Sequence, residues 1–476
     1  MDTFLTVAEL ARLYRQGGLD PSEVAAAHLA RIEQVEPTLN AFAIVDADGA
    51  QAAALASAER LAAGTALGPL DGVPVTIKDI VAMRGFPMRS GSTTTSLLPC
   101  TTDAPSVARL REAGAVILGK TTTPEFGWKG MTDSPLSGVT RNPWNTKHSP
   151  GGSSGGAGAS LACGIGTVAF GNDGGGSIRI PASFCGLVGV KPTFGRVPHF
   201  PLDSPFSLSV SGGPLARTVE DAALFLNEVC RPDHRDPWAM PYDGRDWRIG
   251  LNDGVRGLRI AATTSLGGAS VVDIEIVTAW RATLDALSDL GAQVTEVGDV
   301  FAPLRPRFEA HWKGGFAHTL RSIPRDQWND CDPGFVELAR EGLDMSMSAF
   351  AEAMAQRAAL ITQLSEFHLN YDALITPTMP TLPPRADVVY HSSSYDRWEH
   401  AVPFTVPFNL TGQPVASMPV AVSASGLPIG MQIVGARFRE DMVLRVCRAV
   451  ESAMGFRQPH PRLMQSLTAS LKSATR

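Results

Sequence analysis

A helix closed by glycine and followed at once by a short apolar strand occurs twice in this chain, far apart. Asp103–Ala113 has helical spacing, Gly114 ends it, and Ala115–Leu118 is strand-like. Val277–Leu290, Gly291 and Gln293–Val297 repeat the arrangement. Helices alternating with strands favour α/β layers over separate all-α and all-β parts. Val73–Ile77, Leu258–Ala262 and Asp372–Ile375 are further strand candidates. The first 65 residues read as helices instead. Thr6–Gln16 has apolar residues at helical spacing. Asp20-Pro21-Ser22-Glu23 is a start signal, with Asp as N-cap, Pro at N1 and Glu at N3, and the helix it opens is predicted to reach about Val35. Ala50–Ala63 reads as a third helix.

Several classes are excluded early. Hydrophobic residues make up 44% of the 476 and charged residues 18%, a globular balance that argues against disorder. There is no run of apolar residues long enough to span a bilayer. Ala157–Phe170 comes closest, but it is short and glycine-interrupted. The opening MDTFLTVAELARLYRQ has no basic end, apolar run or small-residue cleavage site, so no secretory leader is expected. The formal charge of −6 carries no basic block, which disfavours nucleic acid and anionic membrane as partners. Six scattered cysteines without a CxxC read as buried, reduced thiols of a cytoplasmic protein. The ten histidines contain no HExxH or close pair, so no metal site is expected. Arg231–Gly257, rich in Pro, Asp and Arg, reads as a surface connection.

Residues 149–196 stand apart. Ser149–Ser160 and Gly171–Arg179 crowd glycine and serine together, yet they flank the apolar Leu161–Phe170, and Pro181–Pro192 carries Phe184, Leu187, Val188 and Val190. A flexible linker would be polar throughout; this segment reads as buried loops that hold a site. No phosphate-binding glycine pattern is present. Gly151–Gly155 matches G-x-S-x-G, but a nucleophile elbow needs a strand directly before its serine, and here two prolines and turn formers precede it. Gly174-Gly175-Gly176-Ser177 offers a nest of backbone N–H groups beside a serine, which suits oxyanion stabilisation. A serine nucleophile also needs a base. Only seven of the 41 basic residues are lysine, and one, Lys78, ends an apolar strand. Buried, it would lose its proton readily, and Ser153 could relay that proton. A lysine at a strand end is more often solvated, so residue chemistry alone leaves this open.

The segments GVPVTIKD (72–79), GKTTTPEF (119–126), TRNPWNTKHSPGGSSGG (140–156), GNDGGGSIRIPASFCGLVGVKPTFGRV (171–197) and GPLARTVEDAA (213–223) resemble, in content, order and spacing, the amidase signature family of serine hydrolases. The likeness covers residues 5–225 closely and extends more loosely through PFNLTGQPVASMPV (407–420) and GLPIGMQIVG (426–435). It implies Ser177 as nucleophile, Ser153 as a bridging serine held by a cis peptide bond, and Lys78 as base. It implies an oxyanion hole from the N–H groups of Gly174, Gly175, Gly176 and Ser177. Asp173 and Arg179 would brace the loop, and Ser154 would support the triad. No cofactor is implied.

The resemblance also implies one large α/β/α domain over 1–476, with a twisted, mixed, mostly parallel sheet covered by helices on both faces. Within it, 1–65 is a helical segment, 66–225 the catalytic core, and 226–476 the variable pocket region and C-terminal core strands. A homodimer is expected. Four positions depart from the family's common residues, Thr122 and His148 among them, where Asn and Arg are frequent. Gly174 stands where Ile, Thr or Ala is frequent, leaving room for a bulkier acyl group, and Asn172 stands where Thr or Ser is common. Ile180, Met131, Trp312 and Phe316 are candidate pocket residues, and the apolar Ile180 favours a neutral, apolar or aryl amide, with carbamate or ester also open. The alternatives are the glutaminase component of a tRNA amidotransferase, and a catalytically silent scaffold that binds a small molecule.

Overall fold

The computed structural model describes residues 1–202, 209–267, 271–302, 305–387 and 401–456; the end of the expected 226–476 region lies outside them. The strands, in chain order, are β1 (Phe42–Val45), β2 (Pro74–Lys78), β3 (Val116–Thr121), β4 (Asp133–Ser134), β5 (Gly138–Val139), β6 (Val168–Asp173), β7 (Val188–Lys191), β8 (Ser211–Ala216), β9 (Arg259–Ala262), β10 (Gln293–Glu296), β11 (Ala373–Pro377), β12 (Val415–Val422) and β13 (Pro428–Gly435). β4 and β5 form a small hairpin; the other eleven make one sheet in the order β1-β3-β2-β6-β8-β7-β12-β13-β11-β9-β10.

The sheet is mixed. Parallel pairing joins β3-β2-β6 and β11-β9-β10. The pairs β1–β3, β6–β8, β8–β7, β7–β12, β12–β13 and β13–β11 are antiparallel. The expected α/β/α frame is present, with its parallel pairs gathered in two blocks rather than spread through the sheet. The short turn after β12 is one cause. Ser423 N–H bonds to Leu427 O at 2.8 Å, and a connection that tight returns the chain antiparallel.

Helices cover both faces, following the strand alternation. Val75 and Ile77 of β2 and Ile429, Met431 and Ile433 of β13 pack into one apolar layer with helices Val7–Arg15, Val219–Val229, Ile274–Asp289 and Glu440–Met454. Val116 and Leu118 of β3 face the other side, with Pro21–Leu39, Ala47–Ala62 and Ala159 of the helix Gly155–Ala162. A strand's period of two then sends Thr76 and Lys78 to the side opposite Val75 and Ile77.

The predicted start of the second helix is present. Asp20 caps it by accepting from Ser22 N–H, Pro21 is its first residue, and it runs past Val35 to Leu39. The glycine segments differ from their reading as loops. They are buried, but Gly155–Ala162 is helix and Gly171–Asp173 ends β6. Their glycines serve close packing. A Cβ on Gly155 or Gly156 would collide with Thr132 Oγ1 or Thr122 Oγ1, and one on Gly171 would stand 2.8 Å from Ser154 Oγ. No disulfide joins the six cysteines. Among the described residues, no helix is long and apolar enough to cross a membrane, and no His/Cys/Asp/Glu group could hold a metal.

Candidate active site

Lys78 is the last residue of β2 and is fully buried. Its Nζ lies 2.7 Å from Ser153 Oγ and 2.6 Å from Asn172 Oδ1. Burial lowers its pKa from 10.5 to about 7, against the opposite pull of Asp173. Ser153 follows a cis peptide bond from Gly152. Ser154 joins the two glycine segments: its N–H donates to Ser177 O at 3.1 Å and its Oγ to Asn172 O at 3.3 Å.

Ser177 lies just past β6, on the turn before the helix Arg179–Cys185. Asp173 pins that turn from inside. It forms a two-pronged ion pair with Arg179, Nε to Oδ2 at 2.9 Å and Nη2 to Oδ1 at 2.9 Å. It also accepts the N–H groups of Gly176 at 2.7 Å and Ile178 at 3.1 Å. Burial would raise its carboxyl; the Arg179 guanidinium, the Asn409 amide and the charge of Lys191 outweigh burial and hold it well below the usual carboxylate range.

The remaining Arg179 donors reach the C-terminal half: Nη1 to Thr405 O at 2.9 Å and Gln432 Oε1 at 2.7 Å, and Nη2 to Asn409 Oδ1 at 2.6 Å. Asn409 Nδ2 returns to Asp173 O at 2.8 Å, and Thr405 Oγ1 donates to Gly175 O at 2.7 Å. Both charges are thus fully satisfied, the condition under which a buried pair is tolerated.

Of the four N–H groups expected to form an oxyanion hole, that of Gly176 already donates to Asp173 Oδ1. The N–H groups of Gly174, Gly175 and Ser177 donate to no other group among the described residues. Gly176 has φ +127°, and a Cβ there would stand 2.5 Å from Thr405 Oγ1.

Ser153, Asn172, Gly174 and Ser177 line one cavity of about 520 Å³, a size typical of small-ligand sites. Trp312 and Phe316 line it as expected. Ile180 and Met131 do not. Ile180 lies beneath the glycine turns, near Gly151 and Gly176, and the backbone of Met131 abuts Gly152. Both are about 1% exposed, because they support the loops from behind. The room left at Gly174 is also taken: a Cβ there would stand 3.2 Å from the Trp312 ring and from Val210. Trp312 is fixed by its Nε1, which donates to Trp128 O at 3.1 Å, and by edge contact with Phe316 at 5.0 Å between centroids.

Comparison with known proteins agrees with this architecture. The family described as Amidase matches residues 23–304 and 330–444. The chain belongs to the amidase family. This amidase is 34% identical to an acylamidase of Rhodococcus erythropolis over 96% of its own length and 97% of that protein. It is also 34% identical to a glutamyl-tRNA(Gln) amidotransferase subunit of Synechococcus sp. (strain CC9605), over 94% and 96% of the two chains. Among solved structures, a bacterial aryl acylamidase of the amidase signature family superposes with a TM-score of 0.88 at 29% identity, covering 98% of each chain. The protein is an amide-hydrolysing enzyme.

Proposed function

We propose that this amidase cleaves neutral amides of small molecules with apolar or aryl groups, through an acyl-enzyme on Ser177. The observation that carries the reading is Lys78, wholly buried, lowered to about 7, and 2.7 Å from Ser153 at the edge of the cavity that Ser177 lines. A lysine neutral near pH 7 is a general base matched to its task. Lys78 takes a proton from Ser153, and Ser153 takes one from Ser177. The Ser177 oxygen attacks the amide carbonyl. The N–H groups of Gly174, Gly175 and Ser177 receive the charge that develops on the oxygen, an interaction worth about 3–4 kcal/mol per donor. The proton returns through Ser153 to the leaving amine. Water then repeats the route and frees Ser177.

The cavity wall supports the neutral substrate. Ile80, Val81, Met88, Phe126, Phe170 and Phe200 contribute to it with Trp312 and Phe316, and no Asp, Glu, Lys or Arg lines it among the described residues. Glutamine would bring an ammonium into that space with no acidic side chain to meet it, and its carboxylate would find His199, His318 and hydroxyl groups but no lysine or arginine among the described lining residues, an arrangement less favourable than a paired charge. Likeness to the amidotransferase chain keeps glutamine in the test as the second reading. The test is covalent labelling with a fluorophosphonate, mapped by mass, in wild type, Ser177→Ala and Ser153→Ala, with aryl amides, alkyl amides and glutamine assayed alongside. Label on Ser177 with turnover of neutral amides is the expected result. Label on Ser153 would revive the elbow reading. Turnover of glutamine alone would favour the glutaminase, and no label on any serine would leave a binding scaffold.

A further inference from the structure

Asn172 is absent from the triad yet supplies most of the polar surroundings of Lys78. A protonated lysine has three N–H donors. The acceptors around Nζ are Ser153 Oγ at 2.7 Å, Asn172 Oδ1 at 2.6 Å and, at a longer 3.5 Å, the Asn172 backbone O. Two of the three belong to one residue, and both are carbonyl oxygens, which accept protons but cannot give them. A hydroxyl does both.

This asymmetry matters when lysine loses its proton. The neutral amine has two N–H donors and one lone pair. A lone pair facing either carbonyl of Asn172 would meet another lone pair. Facing Ser153, it meets an O–H that can turn toward it. We infer that Asn172 is a positioning residue: its two carbonyls hold both N–H groups of neutral Lys78, so that the lone pair points at Ser153 and the base accepts protons from that direction alone. The inference rests on the reading of Lys78 as base. A hydroxyl at position 172 would lack this property, since it could turn its own O–H to the lone pair and compete with Ser153.

The charged groups nearby leave this arrangement intact. Asp173, next along β6, is neutralised by Arg179, with Lys191 acting on it as well. Asp79, next after Lys78, is paired with Lys120 at 3.0 Å. Among the described residues, no charge other than that of Asp173 acts appreciably on Lys78, so the uncharged amide of Asn172 leaves the lysine free to be neutral near pH 7.

The test compares Asn172→Asp, Asn172→Leu and Asn172→Thr by the pH profiles of kcat and kcat/KM on a chromogenic nitroanilide. Asn172→Asp keeps the shape and both acceptors but sets a carboxylate on the ammonium. Its acid limb should move up by about 1–3 pH units relative to wild type. Asn172→Leu and Asn172→Thr should each lose about tenfold or more in kcat while KM stays within about twofold, because the loss is one of orientation and not of substrate binding. Wild-type profiles for Asn172→Asp and Asn172→Leu would overturn the inference. Should Asn172→Leu fail to fold, Asn172→Thr, whose O–H can turn to the lone pair, still decides it: wild-type kcat in that variant would overturn the inference. Lys78→Met separates the two levels: if it is inactive while the Asn172 variants behave as wild type, only this inference fails, and if it remains active, the reading of Lys78 as base fails first.

Discussion

Burying Lys78 costs the fold stability, and that cost is measurable as a function of pH. An exposed lysine holds its proton up to 10.5, whereas buried Lys78 gives it up at about 7. Between these values the unfolded chain binds one proton more than the folded chain at this position. Stability rises with pH wherever the unfolded state binds more protons. Lys78 therefore makes the protein gain about 1.4 kcal/mol per pH unit over this window, and its destabilising effect is greatest below about pH 7. At about pH 8 the remaining cost is roughly 3 kcal/mol. Lys78→Met removes the titration while keeping an unbranched chain of similar length. Its bonds to Ser153 and Asn172 are lost at any pH, at about 1 kcal/mol each, so they shift the comparison by a constant. Urea unfolding of both proteins at about pH 7.5 and 9.5 should show the difference moving by about 3 kcal/mol in favour of wild type as pH rises. All other titrating groups are common to both proteins and cancel. A difference that does not change with pH would mean that Lys78 titrates as an ordinary solvated lysine, and the mechanism built on it would fall.

Three further outcomes follow from the turn that carries Ser177. Arg179→Met leaves Asp173 buried without its main counter-charge, and removal of one member of a buried pair costs about 3–5 kcal/mol; the urea midpoint should fall accordingly, with activity lost. Gly176→Ala places a methyl 2.5 Å from Thr405 Oγ1 at φ +127°, so it should lower stability by about 1–3 kcal/mol and abolish fluorophosphonate labelling. Gly174→Ala, whose methyl would have the Trp312 ring and Val210 as its nearest neighbours at 3.2 Å, should keep the label.

Local signals in the sequence carry its reading a long way, and long-range ones do not. Helix starts such as Asp20-Pro21 are legible because capping is decided within four residues. Lys78, Ser153 and Ser177 are legible through the family's motifs, and the fold sets Ser153 and Ser177 on one cavity with Lys78 bonded to Ser153. The glycines of 155–158 and 171 read as loop because glycine usually breaks structure, whereas here each admits a neighbour that lies elsewhere in the sequence. Thr405, Asn409 and Gln432 escape a sequence reading for a related reason. Each sits in an apolar stretch more than 200 residues from the Arg179 and Asp173 it serves. A lone polar residue in a buried run is the available signal, since such a group must find a partner inside. The spacing of Ile180, three residues from Ser177, suggests the pocket wall, but the first turn of its helix carries it behind the glycines.

The bracing of Arg179 by Asn409 and Gln432 also has a meaning in time. A ribosome making this chain finishes Lys78, Ser153 and Ser177 long before it reaches these two residues. Until they emerge, the Arg179 guanidinium lacks partners it has in the finished fold, and β12 and β13, which complete the middle of the sheet, do not exist. The emerging polypeptide thus carries Lys78, Ser153 and Ser177 before it can brace the turn that holds Ser177, and that bracing waits on Asn409 and Gln432.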